Sequence, residues 1–343
     1  MTEVLMRHIV PSHMTAIDIT QPGAPEVLQA ARHATPQPGP REVLIQVHAA
    51  GVNGPDLLQR KGLYDPPAGA PDIPGLEIAG IVVAHGEQVN GFAVGDAVIA
   101  LVQGGGYAEY AVADERTTAH LPDNLSMIEG AALPETFMTV WVNLFQRGGF
   151  KAGDSVLIHG GASGIGTTAT QLARAFGATQ VFTTVKGEDQ QAASRELGAD
   201  LAIDYTREDF LEQVMRHTDG RGVDVIVDII AGDYVERNFK AAAMDGRIVQ
   251  IGVVKGPATN LDLFPMLTKR LTHIGSTLRA RSLDDKAAIL AELQAKAWPH
   301  VRSGAVKPLI HATFPLAAAS QAHALMESGR HIGKVVLSVA HKG

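Results

Sequence analysis

Between Ser155 and Gly275 the sequence alternates short, nearly all-apolar runs with longer amphipathic stretches, and this alternation constrains the fold most tightly. Runs such as SVLIH, QVFTTV, VDVIVDII and RIVQIG show no regular exchange of polar and apolar positions. A strand with one wet face would show that exchange, so these runs belong to a sheet covered on both faces. Strands are expected at 155–159, 180–185, 201–204, 223–230, 247–252 and 271–275, with helices at 165–176, 189–197, 208–218 and 234–244. Such regular succession predicts an α/β domain built on a doubly wound parallel sheet.

The first of these strands runs into HGGASGIG at residues 159–166. A glycine-rich turn between strand and helix leaves backbone N–H groups at the positive end of the helix dipole, a seat for pyrophosphate. Gly160 and Gly161 make the turn, while Gly164 and Gly166 allow close approach of phosphate and tight packing of helix on strand. Alone, the glycines would mark only a tight turn; within a full strand and helix series they read as a Rossmann dinucleotide site. Dinucleotide choice falls at the end of the second strand, in FTTVKGED. No carboxylate ends that strand; Thr184 and Lys186 favour NADPH, and Glu188 and Asp189 just beyond favour NADH.

At 343 residues the chain is long enough for about two domains. Residues 41–120 carry short β-rich runs cut by glycine and proline turns, the pattern of a small barrel. Residues 126–150 have helical spacing, with Ser126 and Glu129 placed as a capping box. After residue 275 the alternation lapses, and the tail is expected to return to the barrel. The expected domains are therefore 14–136 with 276–343, a dinucleotide-binding domain at 137–275, and an N-terminal extension at 1–13.

The chain has no cysteine, which removes disulfides, thiolate metal sites and a cysteine nucleophile together. Its net charge of −7, without a long basic run, argues against nucleic acid as partner. No apolar window approaches the roughly 18 residues of a membrane span, and residues 1–13 lack a signal-peptide pattern. A cytoplasmic setting is expected.

Two dehydrogenase classes use a loop of this kind. A short-chain enzyme needs a tyrosine whose hydroxyl is lowered by a lysine four residues on. Here Tyr64, Tyr107, Tyr110, Tyr205 and Tyr234 are followed at that spacing by Ala68, Ala111, Asp114, Asp209 and Asn238. The order of barrel, nucleotide domain and return to barrel instead resembles the medium-chain dehydrogenase/reductase superfamily, from about Met14 to Ser338. Its zinc members carry Gly-x-Cys-x-x-Asp and Gly-His-Glu around the metal. GVNGPD here puts Asn53 at the cysteine position and GLEIAG puts Leu76 at the histidine position, and neither replaces a thiolate or an imidazole. No metal site is expected.

GVNGPDLLQRKGLYDPP, PGLEIAGIV, GGGYAEY, LPETFMTVW, DYTREDF and IGKVVLSV together resemble the zinc-free quinone oxidoreductase, or zeta-crystallin-like, family. They are most similar to its tumour-suppressor-inducible subgroup. The resemblance implies a GroES-like β-barrel catalytic domain, formed from both chain ends, beside the Rossmann domain. It implies catalytic roles for Asn53, Asp56 and Tyr64 around a substrate cleft, and puts Thr139 beside the nicotinamide. Gly160, Ser163, Gly164, Ile165 and Gly166 would face the pyrophosphate, and Thr184, Lys186 and Tyr205 the adenosine 2′-phosphate. Gly252, Val253, Leu278, Arg279 and Lys334 would complete the groove, while Gln190 stands where some relatives have a phosphate-binding lysine.

The implied activity is an NADPH-dependent, zinc-independent quinone oxidoreductase, moving a hydride or single electrons to a small-molecule quinone. A quinone is already electrophilic, so positioning could suffice, with Tyr64 and Asn53 as hydrogen-bond donors to the developing oxyanion. The alternatives are reduction of an activated alkene such as an enone, 2-alkenal or enoyl thioester, and an NADPH-binding sensor protein without turnover. The blander readings make Tyr64 a turn tyrosine, Asn53 a buried amide, Glu77 a structural carboxylate, and His48, His85, His159 and His273 core residues. An apolar last strand near LTHIGSTL would need covering, which suggests a homodimer.

Overall fold

The structure, a computed structural model, describes residues 10–341; residues 1–9 of the expected N-terminal extension lie outside the described residues. The chain forms two compact units, one of residues 136–311 with 331–334, the other of the remainder.

The first unit is built on a six-stranded sheet. Its neighbours in order are Leu201–Asp204, Gln180–Val185, Ser155–His159, Val223–Asp228, Ala242–Gln250 and Thr272–Gly275. Every pairing is parallel, as the unbroken apolar runs require. Leu157, Phe182, Ile203, Phe210, Ile226 and Phe239 pack into one core against the helices. Counted along the chain, the strand order is 3-2-1-4-5-6, so it reverses between Ser155–His159 and Val223–Asp228. In sheets of this kind the crevice for a ligand opens at the carboxyl ends of the strands flanking that reversal.

Two boundaries differ from the sequence expectation. The fifth strand starts at Ala242 instead of 247, because a register shift opposite Val223 and Val225 takes up residues 243–246, with Asp245 in the left-handed region at φ 58°. The expected domain limit at 275 also moves. Helices Leu283–Lys296 and Trp298–Arg302 belong to the nucleotide unit, where Gln146 donates to Glu292 at 2.5 Å.

In the second unit the main sheet runs in the order Ile310–Pro315, Lys334–Ser338, Glu42–Gly51, Glu77–His85, Ala97–Leu101 and Thr118–His120, with Tyr110–Asp114 also on Glu42–Gly51. The tail returns here: Val336 pairs with Gly51 and Ser338 with Ala49. Val43, Ile45, Val47, Ile78, Val82 and Leu337 form its interior. Among the described residues no helix is long and apolar enough to cross a membrane.

Candidate active site

At the end of the first strand, Gly160 takes φ 72°, a conformation glycine adopts without strain. The Gly160 N–H donates to the Thr184 hydroxyl at 3.3 Å, and the Gly161 N–H donates to the Thr184 carbonyl at 2.9 Å. Ser163 then caps the helix Gly164–Ala175: its Oγ accepts the Gly166 N–H at 3.0 Å and donates to the Gly160 carbonyl at 2.7 Å. Gly166 has no room for a side chain, since a Cβ there would lie 2.2 Å from the Gly160 carbonyl oxygen and 2.5 Å from the Gly161 Cα.

The Gly164 and Ile165 N–H groups stand in the first turn of this 12-residue helix, at the positive end of its dipole. The stem of Lys334 lies over Gly164, with Cδ 2.6 Å from where a Cβ would sit, and Gly333 bridges to Ser163. Helix-start amides, a missing side chain and an adjacent cation fit a pyrophosphate.

The neighbouring corner holds the residues expected to face the adenosine 2′-phosphate. Val185 and Asp204 are paired, so Lys186 and Tyr205 leave two adjacent strands side by side. Both are exposed, and Tyr205 has nearly half its surface in solvent. Thr184 does not join them. It is 1 % exposed, and its hydroxyl meets His159 Nδ1 at 3.0 Å as well as Gly160, so it holds the turn and offers nothing to a 2′-phosphate. Gln190 is likewise turned inward, its Oε1 accepting the Lys186 N–H at 2.8 Å.

Across the reversal, Gly252 lies against the Ile229 carbonyl, which would be 2.7 Å from any Cβ at that position. Val253 beside it is exposed. Leu278 and Arg279 are buried, and Lys286 Nζ tethers their loop by donating to the Arg279 carbonyl at 2.8 Å. Thr139 is half-buried on the helix Pro134–Val140, where its carbonyl accepts Asn143 Nδ2 at 2.7 Å.

In the barrel unit the three expected catalytic residues separate. Asn53 heads the helix Gly54–Arg60 and is 7 % exposed. Its Nδ2 donates to Glu77 Oε1 at 2.9 Å and leans toward the Gly51 carbonyl at 3.4 Å. Its amide nitrogen is thus turned toward partners within the protein. Asp56 has no exposed surface; its carboxylate accepts the Asn53 N–H at 2.8 Å and the Gly75 N–H at 3.0 Å. It ties the backbone at Asn53 to that at Gly75. Tyr64 alone stands partly open, in the irregular stretch after the helix.

The buried cluster behind Asp56 was not legible in the sequence. The Tyr107 hydroxyl donates toward Asp56 at 3.4 Å and meets His323 Nε2 at 3.0 Å; His323 Nδ1 lies 3.4 Å from Arg60 Nη1, and Arg60 Nη2 pairs with Glu327 at 2.7 Å. Burial first, and Asp56 second, push the Tyr107 hydroxyl well above its ordinary value. Burial, then the Arg60 charge, lower His323 to about 3. Glu77 has no exposed surface and accepts the Glu135 N–H at 2.9 Å besides Asn53. This arrangement does not fit a catalytic zinc, because an inward-held amide and the buried alkyl chain of Leu76 occupy the ligand positions. Among the described residues no three His, Asp or Glu side chains gather as a metal site.

Comparison with known proteins agrees with this geometry. Residues 164–294 match the zinc-binding dehydrogenase family and residues 39–123 the alcohol dehydrogenase GroES-like domain. Rat quinone oxidoreductase is 32 % identical over 94 % of this chain and 97 % of its own length. The solved Escherichia coli quinone oxidoreductase complexed with NADPH has a TM-score of 0.84 at 29 % identity, covering 94 % of this chain and 99 % of that one. A structure described as an NAD-dependent alcohol dehydrogenase has a TM-score of 0.85 at 34 % identity, covering 95 % and 100 %. The two-unit fold, the nucleotide crevice and the near full-length likeness lead to one conclusion: the chain is an oxidoreductase of the quinone oxidoreductase family within the medium-chain dehydrogenase/reductases.

Proposed function

We propose that the protein is an NADPH:quinone oxidoreductase that works without a metal. The observation carrying this reading is the crevice at the strand-order reversal, with the serine-capped helix start at Gly164–Gly166 beside Lys334 and the exposed pair Lys186 and Tyr205 next to it. The amides and Lys334 bind the pyrophosphate, while Lys186 pairs with the 2′-phosphate and Tyr205 stacks near the adenosine. When bound, NADPH supplies a hydride from its nicotinamide. Gly252 packs closely on the Ile229 backbone at the crevice, and Thr139, Val253, Leu278 and Arg279 are assigned to the nicotinamide half. Tyr64 donates a hydrogen bond to a quinone oxygen; Asn53 and Asp56 hold the backbone around it in place. An electrophilic quinone asks little more than orientation of its acceptor, and a cluster already saturated by internal hydrogen bonds is suited to that task.

The protein acts as a homodimer. Thr272–Gly275 is an exposed sheet edge, and Val254, Leu263, Phe264 and Leu267 in the segment before it are exposed apolar side chains, surface that a second copy would cover. A cytoplasmic location is in keeping with the cysteine-free sequence.

Titration with NADPH and NADH, followed by turnover on 1,2-naphthoquinone and on an enone, tests the reading. Tighter binding of NADPH with reduction of the quinone is expected. Turnover of the enone alone would make the protein an alkene reductase, and tight binding without turnover on either would make it a sensor.

A further inference from the structure

We infer that His159 is a positioning residue for the dinucleotide: it completes a one-directional chain of hydrogen bonds tying the phosphate turn to the loop across the strand-order reversal. The inference rests on the nucleotide reading above and goes beyond the residues that touch the cofactor.

The direction of the chain follows from its last member. Asp228 is a carboxylate and only accepts, so the Asn238 group 2.9 Å from its Oδ2 is the amide nitrogen. Asn238 Oδ1 therefore faces His159 Nε2, at 2.8 Å, and Nε2 carries the proton. Burial lowers His159 below its ordinary value and keeps the ring neutral, so Nδ1 is an acceptor and takes the Thr184 hydroxyl hydrogen at 3.0 Å. The Thr184 oxygen, having donated, accepts the Gly160 N–H at 3.3 Å. Every link has one donor and one acceptor, and no link can reverse without breaking its neighbour.

The chain reaches both lips of the crevice. On one side Thr184 holds Gly160 and Gly161. On the other, Asp228 Oδ1 accepts the Ile230 N–H at 2.5 Å and the Ala231 N–H at 3.1 Å, fixing the loop on which Gly252 rests. Ile229 from that loop packs against Gly160, 2.5 Å from where a Cβ would stand. His159, Asn238 and Asp228 have no exposed surface, and Phe210 and Tyr234 meet the imidazole in T-shaped contacts with ring centroids 4.7 and 4.8 Å away. Packing alone would be met by leucine in such surroundings; the polar ring is needed for the two-sided connection.

Two conservative replacements divide the connection. In His159→Asn the side-chain oxygen stands near the Nδ1 position and keeps the link to Thr184; in His159→Gln the amide nitrogen reaches the Nε2 position and keeps only the link to Asn238. Thr184→Val removes the hydroxyl at constant shape. Dissociation constants are measured by calorimetry on the full-length protein for NADPH and for adenosine 2′-monophosphate, which has no pyrophosphate, together with melting temperatures. Each of Thr184→Val, His159→Asn and His159→Gln cuts the chain at one link, so the expected result is NADPH binding about tenfold weaker in all three, with unchanged binding of adenosine 2′-monophosphate. NADPH affinity that simply tracks the melting temperature, or is unaltered in Thr184→Val or in either His159 variant, overturns the inference. Failure of the wild-type protein to bind NADPH would instead overturn the nucleotide reading, and the inference with it.

Discussion

In the proposed function Lys186 is the side chain on which cofactor choice turns. It leaves the second strand beside Tyr205, with no carboxylate at the strand end, and a charge-assisted bond to phosphate contributes about 1.5–3 kcal/mol. Lys186→Ala should therefore weaken NADPH binding by roughly ten- to a hundredfold and leave NADH binding nearly unchanged, measured by parallel titrations. Gly166 acts through backbone space. Gly166→Ala drives a Cβ into the Gly160 carbonyl and the Gly161 Cα, neither of which can rotate away. A loss of about 1–3 kcal/mol in denaturant unfolding, together with lost cofactor binding, is expected.

At the scale of elements, Ser163 joins the turn to the helix it begins. Ser163→Ala removes the cap on Gly166 and the bond to the Gly160 carbonyl, and should cost about 1 kcal/mol of stability with weaker NADPH binding. That cap lies wholly within the quoted loop, which is why the phosphate turn was legible in the sequence. The parallel strands were legible for a related reason: burial on both faces leaves its mark on every residue of the run. The inward turn of Asn53 was not, because its direction is decided by Glu77, a residue of another strand. Thr184 misled in the same way. Its place at a strand end suited a phosphate contact, yet a histidine 25 positions earlier takes its hydroxyl. His159 looked like one more core histidine, and its partners come from a strand and a helix that only the folded sheet brings together.

For the whole molecule, acid is the condition that unfolds it from within. Burial and the Arg60 charge lower His323 from 6.5 to about 3, so an unfolded chain binds a proton between those values that the folded one refuses. This contribution to stability is complete above pH 6.5 and is lost as pH falls toward 3, by at most about 1.4 kcal/mol per pH unit. Denaturant unfolding at pH 7 and pH 5 should show the loss, and His323→Gln should flatten that part of the slope. The exposed edge Thr272–Gly275 makes a second prediction at this scale: Phe264→Glu with Leu267→Glu should halve the mass seen by sedimentation, and an unchanged mass would rule out that surface as the contact between copies.

The central claim is that NADPH reduces a quinone here without help from a metal. The most direct test is the rate of 1,2-naphthoquinone reduction by chelator-treated protein, with NADPH and with NADH as donors. Full activity after chelation, and faster turnover at low NADPH than at equal NADH, are expected. Activity that disappears on chelation and returns with zinc would contradict the claim.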